Sequence, residues 1–279
     1  MVMTEPLGLP GQDTLLACWA ALARISRGAR LIRSATASAA VFPDWTPLNN
    51  AILLDSPDRA TANASRLAHV YASAGVGAWA LWLPSDIVDL DAADRPSSEV
   101  GGLTRDTTTL VMQTTLPNTL RRHPAVVSTS IKTATRAGET PIPVAELEPS
   151  DGVPDLFAWA LVHQGIAVCG AWSFVHLYDC GVYAVETLPE FRRRGFARAL
   201  VEHVLADARA RGARTASLQS TRAGQPLYAA LGFTAAGRYE EWAGSGQALN
   251  NRQDRRVESA VRRRTRRVAR AIQQPSRQW

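Results

Sequence analysis

The chain has 279 residues, 46% of them hydrophobic, and 31 basic against 25 acidic side chains give a formal net charge of +6. That length and apolar content can fill one large or two small domains. They exclude a membrane protein of the helical type, since the longest apolar run, residues 74–84, is too short to span and is broken by glycines.

Cys18, Cys169 and Cys180 are odd in number, scattered and without metal-ligand spacing. They predict small buried thiols in a reducing compartment, with neither a disulfide framework nor a metal site. The first residues carry neither a basic nor an apolar segment of the secretory kind, so a cytoplasmic setting is expected.

In chain order, residues 14–27 and 59–74 predict helices, Leu67 and Val70 recurring at helical spacing in the second. Residues 51–54, 78–83 and 108–113 read as strands, and 44–50 as a polar, proline-containing loop. These form an expected N-terminal α/β lobe, residues 1–135. Residues 136–141 predict a linker, and a second domain runs over 136–245. Within it, 151–163 predicts a helix, despite Gly152 and Pro154 near its start. Strands follow over 165–176 and 180–187, joined by a turn at Tyr178 and Asp179. The tryptophans at 45, 79, 82, 159, 172 and 242 read as core.

The stretch Arg192-Arg193-Arg194-Gly195-Phe196-Ala197 lies where the strand at 180–187 hands over to a helix. In that helix Leu200, Val201, Val204, Leu205 and Ala208 share one face, with Arg198, Glu202, Asp207 and Arg209 expected on the other; Gly212 stops it. Small residues in a Gly-x-Ala turn let backbone N–H groups approach an anion, and the helix N-terminus adds partial positive charge. Residues 214–219 read as the next strand. Pro226 opens a short helix carrying Tyr228, Gly232 ends it, and 233–242 is the last strand.

Strand, anion loop, helix, strand, short helix with Tyr228-x-x-x-Gly232-Phe233 and strand together resemble the Gcn5-related N-acetyltransferase (GNAT) superfamily over residues 140–243. The resemblance implies a mixed sheet flanked by helices, and makes the N-terminal lobe a candidate degenerate copy of the same fold. It implies acetyl-CoA as co-substrate. The backbone of Val185, Glu186 and Thr187 would pair with the pantetheine arm. The pyrophosphate would rest on the N–H groups of Arg192 through Ala197, with Arg192, Arg193 and Arg194 adding charge-assisted contacts.

Transfer in that family runs directly from thioester to amine, with Tyr228 matching the tyrosine that protonates the departing thiolate. No base is singled out: Glu186, His176, Asp179 and a water chain all stand open. Residues 252–279 carry ten arginines against Asp254 and Glu258, a local +8 that leaves −2 for the rest. This tail reads first as a flexible, solvated appendage and second as a contact for nucleic acid or another polyanion. Two functions are thus expected. One is an acetyl-CoA-dependent N-acetyltransferase acting on a small-molecule or protein amine; the other is a non-catalytic acyl-CoA sensor or polyanion-binding protein.

Overall fold

The computed structural model describes residues 8–86 and 99–244; the arginine-rich stretch 252–279 lies outside them. In chain order come helix α1 (Gln12–Ile25), strands β1 (Arg30–Arg33), β2 (Ala37–Val41) and β3 (Asn50–Leu53), and helix α2 (Ala60–Ser73). Strands β4 (Ala80–Ser85), β5 (Glu99–Val100), β6 (Leu103–Thr115) and β7 (Val126–Thr129) lead to helix α3 (Ile131–Arg136). Strands β8 (Ile142–Pro143), β9 (Leu156–His163), β10 (Ile166–His176) and β11 (Asp179–Thr187) precede helix α4 (Phe196–Ala210). Strand β12 (Thr215–Ser220), helix α5 (Gln225–Ala229) and strand β13 (Thr234–Ala243) complete it. This is the expected α/β class, a large mixed sheet flanked by helices. No helix among the described residues is long and apolar enough to cross a membrane.

Two compact units are interleaved in sequence, so the expected division of residues 1–135 from 136–245 cuts across both. The first holds the described residues up to Asn118, Phe174–Gly181 and those from Ala208 on. Its strand order is β1-β2-β3-β4-β13-β6-β12, ending on the start of β11. Strand β6 lies between two strands of the motif region, pairing antiparallel with β12 (Leu218↔Met112) and with β13 (Tyr239↔Thr109). Parallel β3 and β4 are linked through α2, whose Ala60, Ala64, Leu67 and Tyr71 pack on Val41, Leu53, Leu81 and Trp79. Tyr71 stacks on Trp79 at 4.7 Å and donates its hydroxyl to Ala40 O at 3.0 Å, satisfying its one polar atom. Helix α1 buries Leu15, Leu16, Trp19 and Leu22. Its N-terminus is tied to the motif strands by Thr14, which donates to Asp179 Oδ2 at 2.8 Å.

The second unit holds Thr119–Ser173 and Val182–Asp207 among the described residues, with strand order β11-β10-β9-β7 and β8 on β10. Helix α4 buries Leu200, Val201, Val204 and Leu205, as its apolar face predicts. Asp207, expected on the solvent face, is buried and accepts from Arg122 Nη2. It follows Val204 by three positions and Leu200 by seven, which sets it on the same helical face. His203, one turn before, is buried too and accepts the His123 N–H at Nδ1, 2.9 Å away. Burial lowers its pKa.

Two further expectations are corrected in this unit. Residues 156–163, read as part of a helix, form β9, which pairs antiparallel with β7 (Leu161↔Val126). Their run of buried residues from Ala158 to Leu161 belongs to a strand covered on both faces, a pattern that periodicity alone does not separate from a buried helix. Residues 136–141, read as a linker, are packed: Ala137 is fully buried, and a Cβ on Gly138 would come within 2.2 Å of Glu186 Cβ.

Gly170 on β10 faces α3 so closely that a Cβ there would stand 1.7 Å from Ala134 O. The obstacle is backbone, which cannot swing aside. Gly170→Ala is therefore expected to destabilise the protein by about 1–3 kcal/mol, read as a drop in denaturant midpoint at unchanged slope. An unaltered midpoint would show that α3 can retreat at no cost.

Candidate functional site

Strand β11 ends in irregular backbone. Its recorded parallel pairing with β12 covers Asp179↔Thr215 to Gly181↔Ser217. Ala184 then takes φ 48°, a left-handed conformation costing a non-glycine residue on the order of 1–3 kcal/mol. Immediately after it, Val185 is half-buried, Glu186 exposed and Thr187 buried. Thr187 Oγ1 lies 3.1 Å from Cys169 Sγ, and its carbonyl accepts from Arg192 Nε at 2.9 Å. Burial pushes the Cys169 thiol up to about 12, so it stays a thiol near neutral pH. Cys18 and Cys180 are buried and free as well.

The connector 189–191 makes one 3-10 turn, and the chain then enters α4 through two left-handed residues, Arg193 (φ 61°) and Gly195 (φ 85°). The first rung of α4 runs from Ala199 N–H to Gly195 O at 3.0 Å. The N–H groups of Phe196, Ala197 and Arg198 precede that ladder and point toward the helix start. A Cβ on Gly195 would meet nothing within 4 Å, so the space before this helix end is open. Arg192, Arg193 and Arg194 are all exposed around it. The turn thus combines a helix N-terminus with open space at Gly195 and three exposed arginines, a setting that suits a phosphate.

Arg194 is held between two aromatic rings, a contact not expected from the sequence. Its guanidinium stands 5.3 Å from the Phe191 ring centroid and 5.4 Å from that of Phe196, whose ring in turn packs on His163 at 4.9 Å. The Phe-x-x-Arg-x-Phe spacing across the turn is the signal for it. Cation–π contacts fix a side chain that would otherwise sweep solvent.

Tyr228 belongs to the first unit. It is buried, its ring meets Phe233 edge-on at 5.8 Å, and its carbonyl accepts the Phe233 N–H at 3.0 Å. Gly232 (φ 86°) makes that reversal, which accounts for the Tyr-x-x-x-Gly-Phe spacing. Of the open candidates for a base, Asp179 accepts three side-chain hydrogen bonds. It takes hydroxyl donors from Thr14 (2.8 Å), Ser217 (2.6 Å) and Thr215 (2.8 Å), which ties α1 to β12. His176 is half-buried. Glu241 on β13, which the sequence does not single out, has its carboxyl pushed up to about 7 by burial and by the charge of Asp106. No cluster of metal-binding side chains occurs among the described residues.

Residues 127–233 match the model of the acetyltransferase (GNAT) family. Among solved structures, a GCN5-related N-acetyltransferase from Kribbella flavida aligns with a TM-score of 0.61 at 16% identity, over 88% of this chain and 99% of that one. A GNAT-family protein from Novosphingobium aromaticivorans aligns at 0.50 and 19% identity, over 76% and 89%. A protein of unknown function from Staphylococcus epidermidis aligns at 0.51 and 10%, over 76% and 92%. At such identities the likeness is one of fold. No curated protein matches the sequence.

The Glu241 carboxyl has a measurable signature. With a folded pKa of about 7 against the ordinary 4.5, the folded state holds a proton that the unfolded chain gives up between those values. The stabilising contribution is therefore complete below pH 4.5 and lost as pH rises through 7. The melting temperature of Glu241→Gln relative to the parent should climb across that window and level off above it. A difference constant with pH would show that Glu241 ionises normally.

Proposed function

We propose, from the premise that residues 127–233 belong to the acetyltransferase (GNAT) family, that the protein is an N-acyltransferase moving an acetyl group from acetyl-CoA directly to an amine. The observation that carries this reading is the turn at Arg193 and Gly195, which leads into the N-terminus of α4 amid three exposed arginines. A pyrophosphate fits that setting, and the Gly195 position leaves room for one to approach the backbone. Val185, Glu186 and Thr187, just past the left-handed Ala184, are assigned to the pantetheine arm by the family motif.

The reaction balances without a covalent enzyme intermediate. The amine nitrogen bonds to the thioester carbonyl carbon, the carbon–sulfur bond breaks, and the electron pair leaves on sulfur. One proton from the original ammonium ends on the thiolate and one is released. Tyr228 is assigned as the donor to sulfur; its phenol is buried beside Phe233 on the helix that Gly232 terminates. Direct transfer asks the protein mainly for positioning and for a donor at the place where charge develops.

Acetyl-CoA is expected to raise the melting temperature of the protein. Gly195→Glu should abolish that shift, because it sets a negative charge at the helix start and blocks backbone approach. Unchanged acetyl-CoA affinity in the folded variant would sink the assignment.

Tyr228→Phe should leave acetyl-CoA binding intact and lower kcat by about 10²–10⁴-fold where proton transfer limits the rate. Full turnover in that variant would assign thiolate protonation to water or to another group.

A further inference from the structure

Strand β1 is the last strand of its sheet. Among the described residues it pairs with β2 alone, from Arg30↔Val41 to Arg33↔Ser38, so its other flank has no neighbouring strand. In an antiparallel pair alternate residues turn their N–H and C=O groups away from the partner, and along this flank those groups have no ladder to join. The two middle side chains are incompletely covered. Leu31 and Ile32 are half-buried, although Ile32 packs against the cluster that holds Leu67 and Tyr71. A further strand would complete both the ladder and the apolar cover.

The charge along this edge has one sign. Arg24 in the last turn of α1, Arg27 just beyond it, and Arg30 and Arg33 at the two ends of β1 are all exposed. None of the four makes an ion pair among the described residues. The chain from Thr14 to Pro43 contains no acidic residue. Because successive side chains alternate between the faces of a strand, Arg30 shares one face with Ile32, and Leu31 shares the other with Arg33. A second copy of β1 laid antiparallel on this flank would set Arg30 opposite Arg33, and like charges directly opposite are destabilising. A nucleic acid would use the arginines but neither the open main-chain groups nor the apolar pair, and residues 24–33 contain no aromatic ring for its bases to stack on. An extended peptide with an acid on each side of two apolar residues uses all three features.

We infer that the free flank of β1 is a docking site for an extended acidic peptide, which joins the sheet as one more strand. The recognised core is acid, apolar, apolar, acid. Its two acids lie opposite Arg30 and Arg33, and its two apolar side chains lie opposite Leu31 and Ile32. Main-chain hydrogen bonds hold the peptide, while the flanking charges choose it: a strand with basic residues at those positions meets like charge at both ends. Arg24 and Arg27 strengthen the positive field that draws an acidic segment to this edge. The site does not depend on the acyltransferase reading.

The full chain should be titrated, by fluorescence anisotropy, with three labelled peptides. One is Thr-Glu-Val-Ile-Glu-Thr, the second has lysine in place of both acids, and the third is the acidic peptide N-methylated at both apolar residues, which blocks pairing in either register. The plain acidic peptide is expected to bind about tenfold or more tighter than each of the others. Arg30→Glu together with Arg33→Glu, both at exposed positions, should reverse the preference in favour of the lysine peptide. If that variant does not fold, Arg33→Gln takes its place and is expected to weaken the acidic peptide alone. Equal binding of the plain and N-methylated acidic peptides overturns the inference, because the arginine-rich stretch 252–279 would hold both alike. Absence of binding by the acidic peptide overturns it, as does a preference that the substitutions leave unchanged. Tighter binding of a single-stranded oligonucleotide, lost on the charge reversal, also overturns it and assigns the edge to nucleic acid.

Discussion

Strand β6 hydrogen-bonds to β12 along one flank and to β13 along the other, and much else in its unit depends on that double pairing. β12 is short, and its partner on the other side is recorded over only three residues of β11. Without β6 it would be left with that brief parallel ladder, too little to hold it. The turn at 221–223, helix α5 and the Tyr228–Phe233 contact all hang from the end of β12 and the start of β13. The chain segment that carries the family motifs is therefore not self-sufficient. A piece beginning at residue 136 would keep every motif and lose the strand to which both of its last strands are bonded.

A second tie works in the same direction. Asp179 accepts three hydroxyl donors, one of them from Thr14 at the start of α1. Close packing accompanies it, since a Cβ on Gly11 would stand 2.0 Å from Ser217 Oγ. The half-buried carboxylate thus joins α1 to β12 through three neutral hydroxyls.

Local signals account for what the sequence reveals. Gly195, Gly212 and Gly232 all adopt positive φ where the reading places a turn or a stop, and Pro226 opens α5. The apolar face of α4 is visible from Leu200, Val201, Val204 and Leu205 because one helix period suffices to find it. Asp207 escapes that reading because a partner that makes its burial tolerable, Arg122, stands eighty-five positions away in sequence. Residues 158–161 escape it because a strand covered on both faces has no alternation to detect. The insertion of β6 between β12 and β13 is invisible for a related reason: pairing partners over a hundred residues apart leave no trace in any local window. In the site, the anion turn is legible from Gly195 and its neighbours, whereas the β-bulge that sets Asp106 against Glu241 is a property of register and emerges only from the assembled sheet.

The placement of β6 also bears on how the chain is made. Its residues leave the ribosome roughly a hundred residues before β12 and β13 exist, which at about 5–20 residues per second is an interval on the order of 5–25 s. For that time the apolar Leu110-Val111-Met112 run, destined for the interior of a sheet, has neither neighbour and presents two bare edges. The growing polypeptide therefore passes through a stage in which a sticky strand waits for its complement. Until that complement is made, the exposed edges are a place where the unfinished chain can associate wrongly.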